Sequence, residues 1–224
     1  MSGNQINFYC GVESMFKAKA MVILLAMFFL VSCGHPPLNS EVKIPSDYTY
    51  LIGPGDSLEI FVWDNPDISR GVTVRPDGKI NTPLLDDLMA SGKTPSELSR
   101  DIEEGLSKFV RDPIVAVMVS GFQGVYQQQI RVIGQISGGG GGGGNRYSAK
   151  SLPYNQEMTL LDLMIQMGGI GQYGDGNRAS IIRKIDGKTH QFGVLIDDLI
   201  ENGDLTANVK MLPGDILIVP EAFF

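Results

Sequence analysis

The stretch LIGPGDSLEIFVW, residues 51–63, returns in shortened form as MLPGDILIVP, residues 211–220. In both, apolar residues lead into Pro-Gly-Asp and a strand-like run follows. Proline presets φ at the second position of a turn and glycine accepts the positive φ of the third, so each copy reads as a type II turn that launches a strand. Leu58, Ile60 and Val62 alternate with Glu59, Phe61 and Trp63, the period of a strand with one buried face. The shared phrase is therefore shared turn chemistry. Asp56 and Asp215 are placed to accept hydrogen bonds from nearby backbone N–H groups rather than to touch a ligand.

Between the two turns lie two parts of similar construction. GVTVRPDGKINTP, residues 71–83, reads as a hairpin turning at Asp77 and Gly78. TPSELSRDIEEGLSKF, residues 94–109, is the clearest helix: Thr94 is the N-cap, Pro95 takes the first helical position, and Glu97 completes a capping box. Leu98, Ile102, Leu106 and Phe109 form its apolar stripe, Pro113 stops it, and residues 114–120 read as a buried strand. Past a boundary near Gly124, QQIRVIGQI is a strand and MTLLDLMIQMGG a short helix with Thr159 as N-cap and Gly168 as C-cap. A second hairpin turns at Asp186 and Gly187, and the second Pro-Gly-Asp launches the last strand. The expected fold class is α+β: a small mixed-sheet domain over 49–124, then a β-grasp-like domain over 125–224.

Composition sets bounds. The chain has 224 residues, 43% of them hydrophobic, and a formal net charge of -7, so it reads as globular. That acidic balance, without any Lys/Arg cluster, argues against a nucleic-acid partner. Cys10 and Cys33 have no zinc spacing, which leaves no metal or disulfide framework to expect. Residues 20–31 are a run of twelve apolar residues after Lys17 and Lys19, shorter than the ~20 a spanning helix needs and typical of a signal peptide. Polar residues and Glu13 weaken the first fourteen positions as signal sequence, so translation is expected to begin at Met15.

LVSC, ending at Cys33, resembles the lipobox of bacterial lipoproteins. The resemblance implies cleavage after residue 32 and acylation of the Cys33 thiol, followed by a lipidated linker over 33–48; Gly34 after the cysteine implies the outer membrane. Residues 50–85, the capped helix and RDPIVAVMV resemble the polysaccharide export domain of bacterial outer-membrane polysaccharide export proteins. The stretch from IRVIGQI through RASIIRKIDGK to LPGDILIVP is similar to the soluble ligand-binding β-grasp (SLBB) domain of the same family. The resemblance implies a non-enzymatic, lipid-anchored export component facing the periplasm. It also implies a homo-oligomeric ring, exopolysaccharide as cargo, and an inner-membrane chain-length regulator or export complex as partner. Long members carry a C-terminal membrane helix after the last strand. Here PEAFF follows, which leads to the expectation of a short form with a separate outer-membrane β-barrel partner.

Sites are less legible. No HExxH, GxSxG or GxxxxGK[ST] occurs, so no catalytic residue and no cofactor are expected. His190 reads as an ordinary strand residue, the acid pairs Asp86-Asp87 and Asp197-Asp198 as turns and helix starts, and GDGNR (174–178) as a tight connection. SGGGGGGGNRYSAKS, residues 137–151, reads as a glycine-rich insertion: either a tolerated surface loop, or a mobile loop through which Arg146, Tyr147 and Lys150 contact polymer or a neighbouring subunit. Trp63 is a candidate for stacking on sugar rings, although a single tryptophan beside a strand also suits a core. Phe223 and Phe224 suit either a partner or the protein's own core. The reading from another class is a monomeric carbohydrate-binding or sensory lipoprotein, separated from the ring by molecular size.

Overall fold

The computed structural model describes residues 35–38, 48–137 and 147–223. The expected signal peptide, the Met15 start, Cys33, the glycine run 138–144, Arg146 and Phe224 lie outside these residues. Within the unit His35–Phe224 the apolar side chains gather into two cores, one centred on Ile52, Leu58, Ile60, Leu98 and Ile102 and the other on Ile130, Leu160, Leu163, Ile181 and Leu217. The fold is α+β, with three α-helices and ten strands among the described residues.

The first lobe contains β1 (Ser57–Val62), β2 (Arg70–Thr73), β3 (Lys79–Thr82), β4 (Leu85–Met89), α1 (Pro95–Leu106) and β5 (Val115–Gly121). Its main sheet has the order β2-β1-β5, antiparallel throughout, with a register irregularity between Ser57 and Leu58. Alternation in β1 sends Leu58, Ile60 and Val62 into the core, where α1 lays Leu98, Ile102 and Leu106 over them. The α1 capping box forms as the spacing predicts: Glu97 N–H donates to Thr94 Oγ1 at 3.2 Å and Thr94 N–H donates to Glu97 Oε2 at 2.8 Å. Two further side chains fasten this helix to the first residue of β5. Val115 N–H donates to Glu103 Oε1 at 2.9 Å, and Ser99 Oγ donates to the Val115 carbonyl.

Several expectations are corrected here. The chain does turn at Asp77 and Gly78, where Arg75 N–H donates to the Lys79 carbonyl at 2.9 Å, but the strands beyond the turn take other partners: β2 joins β1, while β3 pairs with β4 in a separate two-stranded sheet. Phe109 is not part of the α1 stripe, because the helix ends at Leu106 and leaves that ring exposed. β5 is half-buried rather than buried, with Ala116, Met118 and Ser120 facing out. Asp86 and Asp87 lie in β4, where Asp87 adopts φ 54° and its carboxylate meets Arg75 Nη1 at 2.6 Å.

The second lobe contains β6 (Gln129–Gly134), β7 (Ser148–Pro153), α2 (Leu160–Met167), β8 (Ser180–Ile185), β9 (Lys188–Gly193), α3 (Ile196–Glu201) and β10 (Ile216–Val219). The order is β7-β6-β10-β8-β9; β10 runs parallel to β6, and the other neighbours are antiparallel. A mixed five-stranded sheet with α2 buried against one side is a β-grasp-like arrangement, and the parallel central pair explains why the last strand must return from the far end of the chain. Leu160, Leu163, Met164 and Met167 of α2 are buried. Its capping box uses Asp162 in the place of the Glu or Gln of the usual pattern, and Gly168 ends it at φ 75°. The hairpin turn falls at Asp186 and Gly187, both at positive φ, as a tight two-residue turn requires.

The insertion expected over 137–151 is shorter than the sequence suggested, since residues 148–153 are β7 and pair with β6 along its length. Likewise the expected linker is not all linker. Residues 35–38 lie along β9, with Leu38 buried in the second core. GDGNR is a tight connection: a 3-10 turn over Gly176–Arg178, capped by Asp175.

The carboxylates of Glu97 and Asp162 are held below the usual range by hydrogen bonds from Thr94 and Thr159 respectively. A depressed carboxylate contributes stability that is complete above its unfolded pKa, ~4, and is lost as pH falls through the lower folded value. Glu97→Gln and Asp162→Asn keep cap geometry but remove the titration. Denaturant unfolding of the double variant is expected to show a smaller drop in stability between neutral pH and acid below that point than the parent.

Candidate functional site

Both Pro-Gly-Asp turns close as type II turns. Asp56 N–H bonds the Gly53 carbonyl and Asp215 N–H the Leu212 carbonyl, at 3.2 and 3.1 Å, with Gly55 and Gly214 at φ 91° and 87°. In each, the Asp carboxylate also accepts from the N–H three residues back, Gly53 at 2.9 Å and Leu212 at 2.8 Å. The remaining lone pairs are used differently.

Asp56 is fully buried, and four donors surround it. Oδ2 accepts from Tyr50 Oη at 2.5 Å as well as from Gly53, and Oδ1 accepts from the N–H groups of Gln123 and Gly124 at 2.6 and 2.9 Å. Burial, and then the neighbouring carboxylate, push the Tyr50 hydroxyl well above the ordinary tyrosine range. One carboxylate thus ties the start of the first lobe to the segment that leaves it. The fit requires Gly53: a Cβ there would lie 1.9 Å from the Gly124 carbonyl oxygen.

Asp215 is 1% exposed and faces Arg183, 2% exposed. Arg183 Nε donates to Oδ1 at 2.9 Å, Nη2 donates to Oδ2 at 2.6 Å, and Nη2 also reaches the Lys210 carbonyl at 2.9 Å. Burial raises the Asp215 carboxyl above its ordinary range, with Arg183 opposing the rise. A bidentate pair of this kind is structural. Sequence reasoning missed Arg183; the one available signal was an arginine inside the apolar run SIIRKI, at a position whose neighbours alternate inward.

The exposed chemistry lies elsewhere. On the outer face of the first sheet, Trp63 is 65% and Phe61 44% exposed, their rings meeting edge to face at 6.3 Å. Trp63 N–H donates to the Ile114 carbonyl at 2.9 Å, Phe61 stands opposite Ala116, and Glu59 opposite Met118. Ile114 and Met118 are also exposed, so the aromatic pair sits in an apolar strip with Glu59 at one end. Tyr147 and Lys150 are exposed on the other lobe, at and beside the start of the edge strand β7. The structure therefore brings Trp63 together with Phe61, not with Tyr147 or Lys150. Phe223 is exposed under the Arg178 guanidinium, 4.1 Å from its ring centroid, while residues 220–222 bond to 173–175.

A shallow depression of about 260 Å³ at the start of α2 is lined by Asn155, Gln156, Glu157, Met158, Asp162 and Gln166. Among the described residues no group of three or more His, Cys, Asp or Glu is placed to hold a metal, and no helix is long and apolar enough to cross a membrane. His190 stands on exposed β9 with its ring stacked near Phe192.

Residues 44–120, the first lobe with its Asp56 turn, match the family model for polysaccharide biosynthesis/export protein. The first lobe is thus similar to a polysaccharide export domain. The EPS I polysaccharide export outer membrane protein EpsA of Ralstonia nicotianae (strain ATCC BAA-1114 / GMI1000) is 28% identical over 215 residues, covering 85% of this chain and 52% of that protein. The protein of the same name from Ralstonia solanacearum is 29% identical over 194 residues, covering 76% of this chain and 47% of its own length. The chain spans about half the length of these curated relatives. The matched residues include both the buried Asp56 turn, just before β1, and the exposed strip around Trp63, just after it.

Breaking the Arg183–Asp215 pair from one side leaves a buried charge without its partner, which typically costs about 3–5 kcal/mol. Arg183→Met is expected to lose stability on that scale in denaturant unfolding. Arg183→Met with Asp215→Asn is expected to recover part of it, because a neutral side chain still accepts the Leu212 N–H.

Proposed function

We propose that this protein is a non-enzymatic component of an exopolysaccharide export machine at the outer membrane, anchored by lipid at Cys33 and facing the periplasm. The observation that carries this reading is the export-domain match over residues 44–120, supported by the two relatives named as polysaccharide export outer membrane proteins. In this proposal several copies form a ring through which polymer passes, with an inner-membrane regulator on one side and a β-barrel partner in the outer membrane. The division into an export domain over 49–124 and a ligand-binding β-grasp domain over 125–224 belongs to the same proposal. The two separate apolar cores support it.

The described surface suits non-covalent contact with sugar. An exposed indole offers a flat apolar face to the C–H side of a pyranose ring, and Glu59 nearby offers hydroxyl acceptors. Trp63 is proposed as a polymer contact, with Phe61 beside it; Tyr147, Lys150 and Arg146 are proposed as a second, independent contact on the other lobe.

The test is export from a strain lacking the native gene. Complementation with the full chain is expected to restore extracellular polymer, and Phe61→Ala/Trp63→Ala to lower it several-fold at unchanged protein level. Normal export by that variant would remove the aromatic pair from the account, and normal export in the uncomplemented deletion strain would remove the function itself. Size of the detergent-extracted protein separates a ring from the monomeric sugar-binding lipoprotein.

A further inference from the structure

Residues 35–38 are held on the outer edge of the five-stranded sheet. Gly193 N–H donates to the Pro36 carbonyl at 2.9 Å, Leu38 N–H donates to the Gly193 carbonyl at 3.3 Å, and Pro37 forms a parallel bridge with Gly193. Leu38 then inserts into the second core, 8% exposed. Backbone pairing on one side and a buried side chain on the other fix where this segment lies, and they cover part of an edge that would otherwise present open hydrogen-bonding groups.

Cys33 is two residues upstream of His35. Two residues span at most ~7 Å even when fully extended. Acyl chains on Cys33 would sit in the bilayer, so a tether this short leaves β9 no freedom to stand far from the membrane surface. We infer that the β9 edge is the face the second lobe presents to the membrane, with phospholipid headgroups as its partner. The inference rests on acylation of Cys33.

The exposed side chains at that edge fit. Lys184, Lys188, Thr189 and His190 are all exposed on the β8–β9 hairpin, with His35 beside Gly193 and Asp186 as the acid at the tip. Ammonium groups held within a few ångströms of a bilayer are drawn to anionic lipid. β7 is the opposite edge of the same sheet, four strand spacings away, so it stands ~19 Å farther along the sheet. Tyr147 and Lys150 are thereby kept away from the bilayer and left open to periplasmic contact.

The experiment uses the acylated protein isolated from membranes. It is placed in vesicles of phosphatidylethanolamine and phosphatidylglycerol containing a headgroup-nitroxide lipid, with a fluorophore on Thr189→Cys or on Lys150→Cys. Acylated Cys33 has no free thiol, and the label reports only the new position. Quenching is expected to be stronger at 189 by about twofold or more, given the ~19 Å between the edges. Adding Leu38→Asp is expected to release the segment and remove that excess while the protein still floats with the vesicles. Flotation with equal quenching, or stronger quenching at 150, overturns the inference alone. Failure to float overturns the anchoring reading and this inference with it.

Discussion

A single buried carboxylate sets the geometry of the first lobe. Asp56 has no contact with water, so its charge must be balanced by hydrogen bonds inside the protein, and four donors from three parts of the chain supply them. A carboxylate with four acceptor sites can be satisfied this way without a cation. The requirement reaches outward: Gly53 must lack a Cβ, Tyr50 must fold back, and residues 123 and 124 must return to the start of β1. Next to them Gln128 bonds the Thr49 carbonyl and the Leu51 N–H, and Gln129 Nε2 donates to the Gln123 carbonyl at 3.2 Å. The segment between the two cores is therefore fixed by polar contacts, while among the described residues the buried apolar side chains form two separate clusters.

The second turn repeats the local chemistry and solves its charge problem differently. Asp215 has only one backbone donor of its own kind, so Arg183 completes it. Arg131 N–H donates to the Asp215 carbonyl, and a Cβ on Gly214 would meet the Gln127 carbonyl oxygen at 2.7 Å. Both turns thus border residues 123–131. What looked like a repeated phrase marks the two sides of one junction.

The sequence revealed local features well. The caps at Thr94 and Thr159, the turns at Asp77 and Asp186, and the back-bonding role of Asp56 and Asp215 are decided by neighbours within a few residues, and those are legible. Partners were not. The arms of the 71–83 segment look like a hairpin because their pattern is right, yet the first joins β1 and the second pairs with β4, partners that lie outside the segment. β7, SAKSLP, lacks the apolar alternation of a strand and ends in Pro153, so only its pairing along β6 reveals it. Arg183 could only be assigned once β8 and β10 were known to be neighbours. At the surface, Trp63 kept a choice between core and solvent that alternation alone fixes, since it continues the outward register of Glu59 and Phe61.

Amide hydrogen exchange in Asp56→Asn tests the central claim most directly. An amide side chain cannot accept from all four donors, so protection at Gly53, Gln123 and Gly124 is expected to collapse together. Protection in α2 and the β6–β10 pair should stay close to that of the parent. Unchanged exchange at these three amides, or loss confined to Gly53, would show that Asp56 does not tie the two ends of the lobe and would contradict the account.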